Sequence, residues 1–145
     1  MKLTDFPKYS PLEVLFIDHS KNDPLDFTIN NIILPILQHF NYFVIHNGIL
    51  LQLHAQNTQL EIDESFKPRR ILYRDLGSLT IDNDFRKAGN LEPIISYSIG
   101  SDDRFSEEIE YSLRYDEFMA SHSFALLGNV LSNHYNINQK IFLIN

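Results

Sequence analysis

Residues 48–75 read GILLQLHAQNTQLEIDESFKPRRILYRD. Short apolar runs and polar–apolar alternation, the patterns of β-strands, follow one another here with only brief turns between them. The pattern predicts strands, with a fourth just downstream, at 49–53, 59–63, 69–76 and 78–81. In the third strand, Ile71 and Tyr73 should share one face and Leu72 the other, since side chains alternate along a strand. The stretch is predicted to fold as a small antiparallel β-meander.

Upstream of this stretch the apolar period changes to that of a helix. Asp23-Pro24 is a typical helix start, with the aspartate as N-cap and the proline at the first helical position. From Phe27 to Val44, apolar residues then recur every three or four positions. The helix should bend at Pro35 and end at Asn47-Gly48.

The last third of the chain is again predicted to be helical. Ser106 is a candidate helix cap, and an apolar stripe runs from Phe118 through Leu126 and Leu131 toward Tyr135. The order is therefore helix, antiparallel strands, helices. This order predicts an α+β fold, and the whole chain, residues 1–145, is predicted to be a single domain.

Composition excludes several classes of function. With 12 Lys and Arg against 19 Asp and Glu, the formal net charge is −7, which argues against sequence-independent binding to nucleic acid or to an anionic membrane. The absence of Cys excludes disulfides, thiolate zinc sites and cysteine nucleophiles. No apolar run approaches the roughly 18 residues of a spanning helix, and the first residues lack a signal-peptide pattern. The predicted location is the cytoplasm.

Common catalytic motifs are missing. The sequence contains no His-Glu-x-x-His, no Gly-x-Ser-x-Gly and no glycine-rich phosphate loop. Asp82-Asn83-Asp84 imitates the start of a calcium loop, but Arg86 and Lys87 stand where a ligand and a glycine are needed. Five of the six His are individually best explained as surface or core residues.

One group of polar residues remains a candidate site. His54, Gln56 and Asn57 follow one predicted strand, and Arg74 and Asp75 end another. On neighbouring strands these residues would converge. Amide and carboxylate oxygens are ligands that Mg²⁺ accepts beside nucleotide phosphates, while imidazole and guanidinium groups bind anions. In the alternative interpretation these residues only form turns, and the arginine pairs with the aspartate.

The same residues resemble a known family. The segments from Gly48 to Asn57 and from Arg69 to Asp75 are similar to the core motifs of the IucA/IucC family, the siderophore synthetases that work without a nonribosomal peptide synthetase. The apolar helix upstream and the segment around Asn129 also resemble that family, so the similarity covers most of residues 25–135. The implied fold is the palm region of the catalytic half of these enzymes.

The resemblance implies an activity and assigns residues to it. Such enzymes use Mg-ATP to adenylate citrate or a related carboxylate, and then condense it with an amine or a hydroxyl. His54 and Arg74 match catalytic positions that contact carboxylate and phosphate. Gln56, Asn57 and Asp75 match cofactor-binding positions, and Asn57 and Asp75 are the implied Mg²⁺ ligands.

Departures from the family pattern leave alternatives open. Gln52 replaces a family glutamate, and the His-Pro and Ser-x-Arg-Thr motifs that grip ATP are absent. The chain is therefore interpreted as a truncated synthetase, inactive alone, that works as a homodimer or with a complementing synthetase chain. The first alternative is a non-catalytic binding or regulatory module. A second, a kinase-like phosphotransferase fragment, is disfavoured because Gln56 stands at the expected catalytic aspartate.

Two further arginines have two interpretations. Arg104 and Arg114 either bind an anionic substrate or lie on solvated helix faces, as charged helical residues usually do.

Overall fold

A computed structural model describes residues 23–65, 67–94 and 111–138. Its elements are, in chain order, α1 (residues 24–45), β1 (Ile49–Leu50), β2 (Thr58–Ile62), β3 (Pro68–Tyr73), β4 (Thr80–Ile81), α2 (Asn83–Ala88) and α3 (residues 113–135). Helices and short antiparallel strands occur together, so the α+β class is confirmed. The likeness to a synthetase palm is not confirmed, and Ser106 lies outside the described residues.

Helix α1 begins as the sequence predicts. The Asp23 side chain accepts hydrogen bonds from the backbone N–H groups of Leu25 (2.8 Å) and Asp26 (3.2 Å). These two donors have no carbonyl partner within the helix, so the carboxylate supplies the missing acceptor. Pro24 occupies the first turn, where no N–H is needed.

Loss of this cap should weaken the protein measurably. Asp23→Ala is expected to lower the free energy of unfolding by about 1 kcal/mol, because two backbone donors lose their acceptor. Urea denaturation followed by circular dichroism measures the change. Gln38→Ala, an exposed position in the middle of the same helix, is the control and should change stability by less than about 0.5 kcal/mol. Equal effects of the two substitutions would contradict the capping role.

Helix α1 contains π-helical turns on both sides of the segment that holds Pro35, and the bend predicted there stays a prediction. The α-helical segments of α1, Pro24–Thr28 and Leu34–Phe40, alternate with the π-helical segments Ile29–Ile33 and Asn41–Ile45. Proline cannot donate to the carbonyl four residues before it. The π-helical hydrogen-bond pattern ends just before Pro35, and the helix continues through that residue.

The prediction of a single meander is wrong. The strands form two separate two-stranded antiparallel sheets, β1 with β4 and β2 with β3. Strand β1 ends at Leu50, and the next apolar residues, Leu51 and Leu53, are buried in the core and do not pair with β2. The chain then turns at residues 54–57 before β2 begins.

The β2–β3 hairpin matches its predicted pattern. Thr58 pairs with Tyr73, and Ile71 is buried while Leu72 is exposed, as the alternation requires. At the hairpin turn, the Asp63 carboxylate accepts hydrogen bonds from the N–H groups of Lys67 (2.9 Å) and Ser65 (2.8 Å). The Lys67 bond is the main cause that holds the pKa of Asp63 below its ordinary value.

One apolar core joins α1, β3 and α3. Its buried members are Phe27, Ile32, Ile36, Leu51, Leu53, Ile71, Met119, Phe124 and Leu131. At its edge, His39 Nδ1 lies 3.1 Å from the Tyr73 hydroxyl and so links α1 to β3. Burial raises the pKa of Tyr73, which keeps this hydroxyl protonated. On α3 the predicted apolar stripe is only partly buried, since Leu131 is fully covered while Leu126 is exposed.

A buried arginine fixes the junction of α1, β1 and α2. Arg86 donates from Nη1 to the Asn47 carbonyl (2.6 Å) and from Nε and Nη2 to the Glu92 carbonyl (3.0 and 2.7 Å). Asp82 caps α2 by accepting from the Phe85 N–H (2.7 Å). The rejected calcium-loop residues are therefore the start of a helix.

Residues 23–65, 67–94 and 111–138 contain neither a metal-binding cluster of side chains nor a membrane-spanning helix. No cluster of three or more His, Cys, Asp or Glu side chains there is arranged to hold a metal ion. No helix in these ranges has the length and apolar character needed to cross a membrane.

Candidate functional site

A cleft of about 470 Å³ lies between the turn that follows β1 and helix α3. It is lined by His54, Ala55, Gln56, Phe118, Ser121, His122 and Leu126. Its volume falls within the range of roughly 300–1,000 Å³ that is typical of small-molecule sites. Among the described residues, no acidic side chain lines it, although the chain carries a net charge of −7.

Two imidazole rings flank a phenylalanine in this cleft. The ring of His54 meets Phe118 edge-on, with centroids 5.3 Å apart and an interplanar angle of 85°. His122 stacks on the same phenylalanine at 6.2 Å and 28°. Phe118 and His122 both lie in the π-helical segment Leu113–Phe124 that begins α3, and their stacked rings line the same cleft. The cleft therefore combines an apolar ring surface with two hydrogen-bonding rings.

A buried positive charge lies beside Phe118. The guanidinium carbon of Arg114 is 5.8 Å from the phenylalanine ring centroid, in cation–π range. Its Nη2 donates to Thr80 Oγ1 at 2.9 Å. Arg114 is only 5% exposed, so its interpretation as part of a solvated helix face is wrong. Arg104 lies outside the described residues.

The turn that carries His54 is held by Asn57. The Asn57 N–H donates to the His54 carbonyl (2.9 Å), and the Asn57 side-chain Nδ2 lies 3.1 Å from His54 Nε2. The Arg74 N–H donates to the Asn57 carbonyl at 3.1 Å. Asn57 itself is buried. The predicted convergence of these two chain segments thus occurs, but through backbone groups.

The five predicted site residues do not form one cluster around the cleft. His54 and Gln56 line it, and Asn57 lies behind His54. Arg74 and Asp75 are exposed and do not line it. Asp75 adopts a left-handed backbone conformation (φ 60°) ahead of the 3₁₀ turn Leu76–Ser78. The roles assigned to these five residues stay predictions.

Five of the seven lining residues are absent from the sequence-predicted site: Ala55, Phe118, Ser121, His122 and Leu126. The sequence places Phe118 and Leu126 in an apolar stripe and gives His122 a structural role. The available signal was the four-residue spacing between Phe118 and His122, but an aromatic residue at helical spacing usually indicates core.

Ser123 attaches α3 to the chain segment that carries His54. Its buried hydroxyl donates to the Leu53 carbonyl at 2.6 Å. Because residue 53 directly precedes His54, this bond sets the distance between the two walls of the cleft.

Removing that hydroxyl should destabilise the fold. Ser123→Ala is expected to lower the free energy of unfolding by about 1–2 kcal/mol, because a buried carbonyl loses its donor. Thermal and urea unfolding measure the effect. Ser121→Ala removes an exposed hydroxyl from the same helix and is expected to cost about 0.5 kcal/mol or less. If Ser123→Ala lowers the free energy of unfolding no more than Ser121→Ala does, the hydrogen bond does not stabilise the fold.

Comparison with known proteins identifies the family. Residues 32–145 match the family described as "Ferric iron reductase FhuF-like transporter". The match spans most of the chain and includes the turn at residues 54–57 and all of α3. The chain belongs to the FhuF-like family. No curated protein and no solved structure matches this FhuF-like chain significantly.

The FhuF-like match overturns the resemblance to the IucA/IucC synthetases. The siderophore theme holds, since the FhuF-like family relates to siderophore iron utilisation, but ligase activity and ATP binding have no support from it. The motif residues have local structural reasons: Gly48 has a positive φ, Asn57 holds the His54 turn, and Asp75 is left-handed. Turns between short strands need such residues in many folds, so the motifs were a weak guide to family.

The family description contains the word reductase, and a reductase needs an electron carrier. Thiolate-held iron–sulfur clusters and redox disulfides both require Cys, and the FhuF-like sequence has none. These 145 residues therefore do not fit either carrier.

Proposed function

We propose that this chain binds an iron(III)–siderophore complex in the cleft between the His54 turn and α3. The observation that carries the proposal is the placement of Phe118 between two imidazole rings, in a cleft whose described lining residues include no carboxylate. Membership of a family related to siderophore iron utilisation supports this choice of ligand class.

The chemistry of the cleft suits such a complex. Siderophore complexes surround iron with anionic oxygens on a partly apolar organic frame. Phe118 and the exposed side chain of Leu126 offer apolar surface for the frame. His54 and His122 offer ring N–H donors for the oxygens.

Binding, rather than reduction, is the function proposed for these residues. It agrees with the interpretation of the sequence as a non-catalytic binding module. Binding of Mg-ATP or of a citrate-like carboxylate and its amine or hydroxyl partner stays a prediction at His54, Gln56, Asn57, Arg74 and Asp75. Equilibrium dialysis with Mg-ATP tests the nucleotide part of it. A homodimer or complementing chain likewise remains a prediction.

Equilibrium dialysis with metal quantification tests the proposal. Iron(III) and gallium(III) complexes of a tricatecholate and a trihydroxamate are compared, because gallium(III) has the same charge but is not reduced. At least one ligand class should bind saturably, with equal affinity for both metals. His122→Ala should weaken binding by about tenfold, the value of one charge-assisted hydrogen bond.

The matched control is His134→Ala, which removes a histidine from the same helix outside the cleft. Its affinity should equal that of the unchanged protein. Absence of binding for every complex, or equal losses in the two variants, would refute the proposed function.

A further inference from the structure

We infer that Asn57 fixes the His54 imidazole as a hydrogen-bond donor through Nδ1, so that the cleft recognises an anionic oxygen of a preformed iron chelate instead of ligating the iron itself. The choice of ligand rests on the proposed function. The position of the proton on the His54 ring is independent of it, because it is a property of the free protein.

The hydrogen bond between the two side chains assigns the proton. Asn57 Nδ2 lies 3.1 Å from His54 Nε2. An amide nitrogen only donates, so Nε2 must accept and cannot carry a proton. A neutral imidazole then carries its proton on Nδ1, and an imidazolium would place two donors against each other.

Asn57 is held firmly enough to impose this state. The residue is 4% exposed. Its backbone N–H donates to the His54 carbonyl at 2.9 Å, and its carbonyl accepts from the Arg74 N–H at 3.1 Å. These two bonds hold the Asn57 backbone in the turn, and the buried side chain places its Nδ2 against the imidazole.

The assigned state decides what His54 can bind. A histidine ligates a metal ion through a nitrogen lone pair, and the Nε2 lone pair is engaged by Asn57 while Nδ1 carries the proton. Among the residues that the structure describes, Nδ1 has no hydrogen-bond partner, so its N–H remains available. A free N–H pairs best with an anionic oxygen. The chelate's oxygens are such acceptors, whereas the bare metal ion is not.

Nitrogen-15 NMR of the histidine rings tests the assignment in the free protein. At alkaline pH, His54 should show a protonated Nδ1 and an unprotonated Nε2. In Asn57→Leu, which has the same side-chain shape without the donor, the proton should move toward Nε2, the position preferred by free histidine in water. Asn133→Leu, at an exposed position on α3, should leave His54 unchanged. A proton on Nε2 in the unchanged protein overturns the inference, whether or not the variant folds.

Dialysis then tests the consequence for ligand choice. Asn57→Leu is expected to weaken binding of the gallium chelate by about tenfold. The unchanged protein should bind the chelate more tightly than unchelated Co²⁺, used as a probe for histidine ligation. Tighter binding of Co²⁺, with changes in the His54 resonances, would overturn the inference. A protonated Nδ1 together with no binding of any chelate would refute the proposed function and leave the imidazole assignment standing.

Discussion

Gly48→Ala is expected to lower the free energy of unfolding by about 3 kcal/mol. Gly48 has a φ of +59°, which L-residues adopt at a cost of about 1 kcal/mol or more. A Cβ there would lie 2.8 Å from Phe85 Cδ1 and 3.1 Å from the Asp82 carbonyl oxygen. Because Asp82 caps α2 and its N–H donates to the Gly48 carbonyl (2.9 Å), the clash would fall on the junction of α1, β1 and α2.

Urea unfolding of Gly48→Ala beside Gly77→Ala measures this effect. A Cβ at Gly77 would meet nothing within 4 Å, so the control should be neutral or slightly stabilising. Similar losses of stability in the two variants would contradict the account of the junction.

Phe118→Ala is expected to weaken binding of a siderophore complex by more than about tenfold. The ring supplies apolar contact surface, and it also orients His54 and His122 on either side. Phe118→Leu keeps apolar volume but not the flat ring. Its affinity should therefore lie between that of the unchanged protein and that of Phe118→Ala.

Tyr42→Ala is the matched control for the loss of an aromatic ring. Tyr42 is an exposed aromatic residue on α1 and does not line the cleft. Equilibrium dialysis should give the control the same affinity as the unchanged protein. If Phe118→Ala folds, as circular dichroism would verify, and binds with unaltered affinity, the cleft is not the binding site.

Local signals in the sequence predicted much of the fold. The start of α1 followed from Asp23-Pro24, and the β2–β3 hairpin followed from alternation. The single meander was wrong because an apolar run such as 49–53 looks the same whether it pairs as a strand or packs in the core. Burial of Leu51 and Leu53 depends on α1 and α3, which are distant in sequence.

The site was only half predictable for the same reason. His54 and Gln56 were predicted because they are polar residues that directly follow a predicted strand. Phe118 and His122 were not, since only the packing of α3 against the His54 turn brings them into the cleft. That packing depends on the bond from Ser123 to the Leu53 carbonyl, which joins residues seventy positions apart.

The most direct test of the binding cleft is NMR mapping of a gallium(III) siderophore complex on the isotope-labelled chain. The account predicts saturable shifts of the His54 and His122 ring resonances and of the Phe118 amide, with Arg74 and Asp75 unaffected. Shifts centred on Arg74 and Asp75, or no shifts at all, would contradict it.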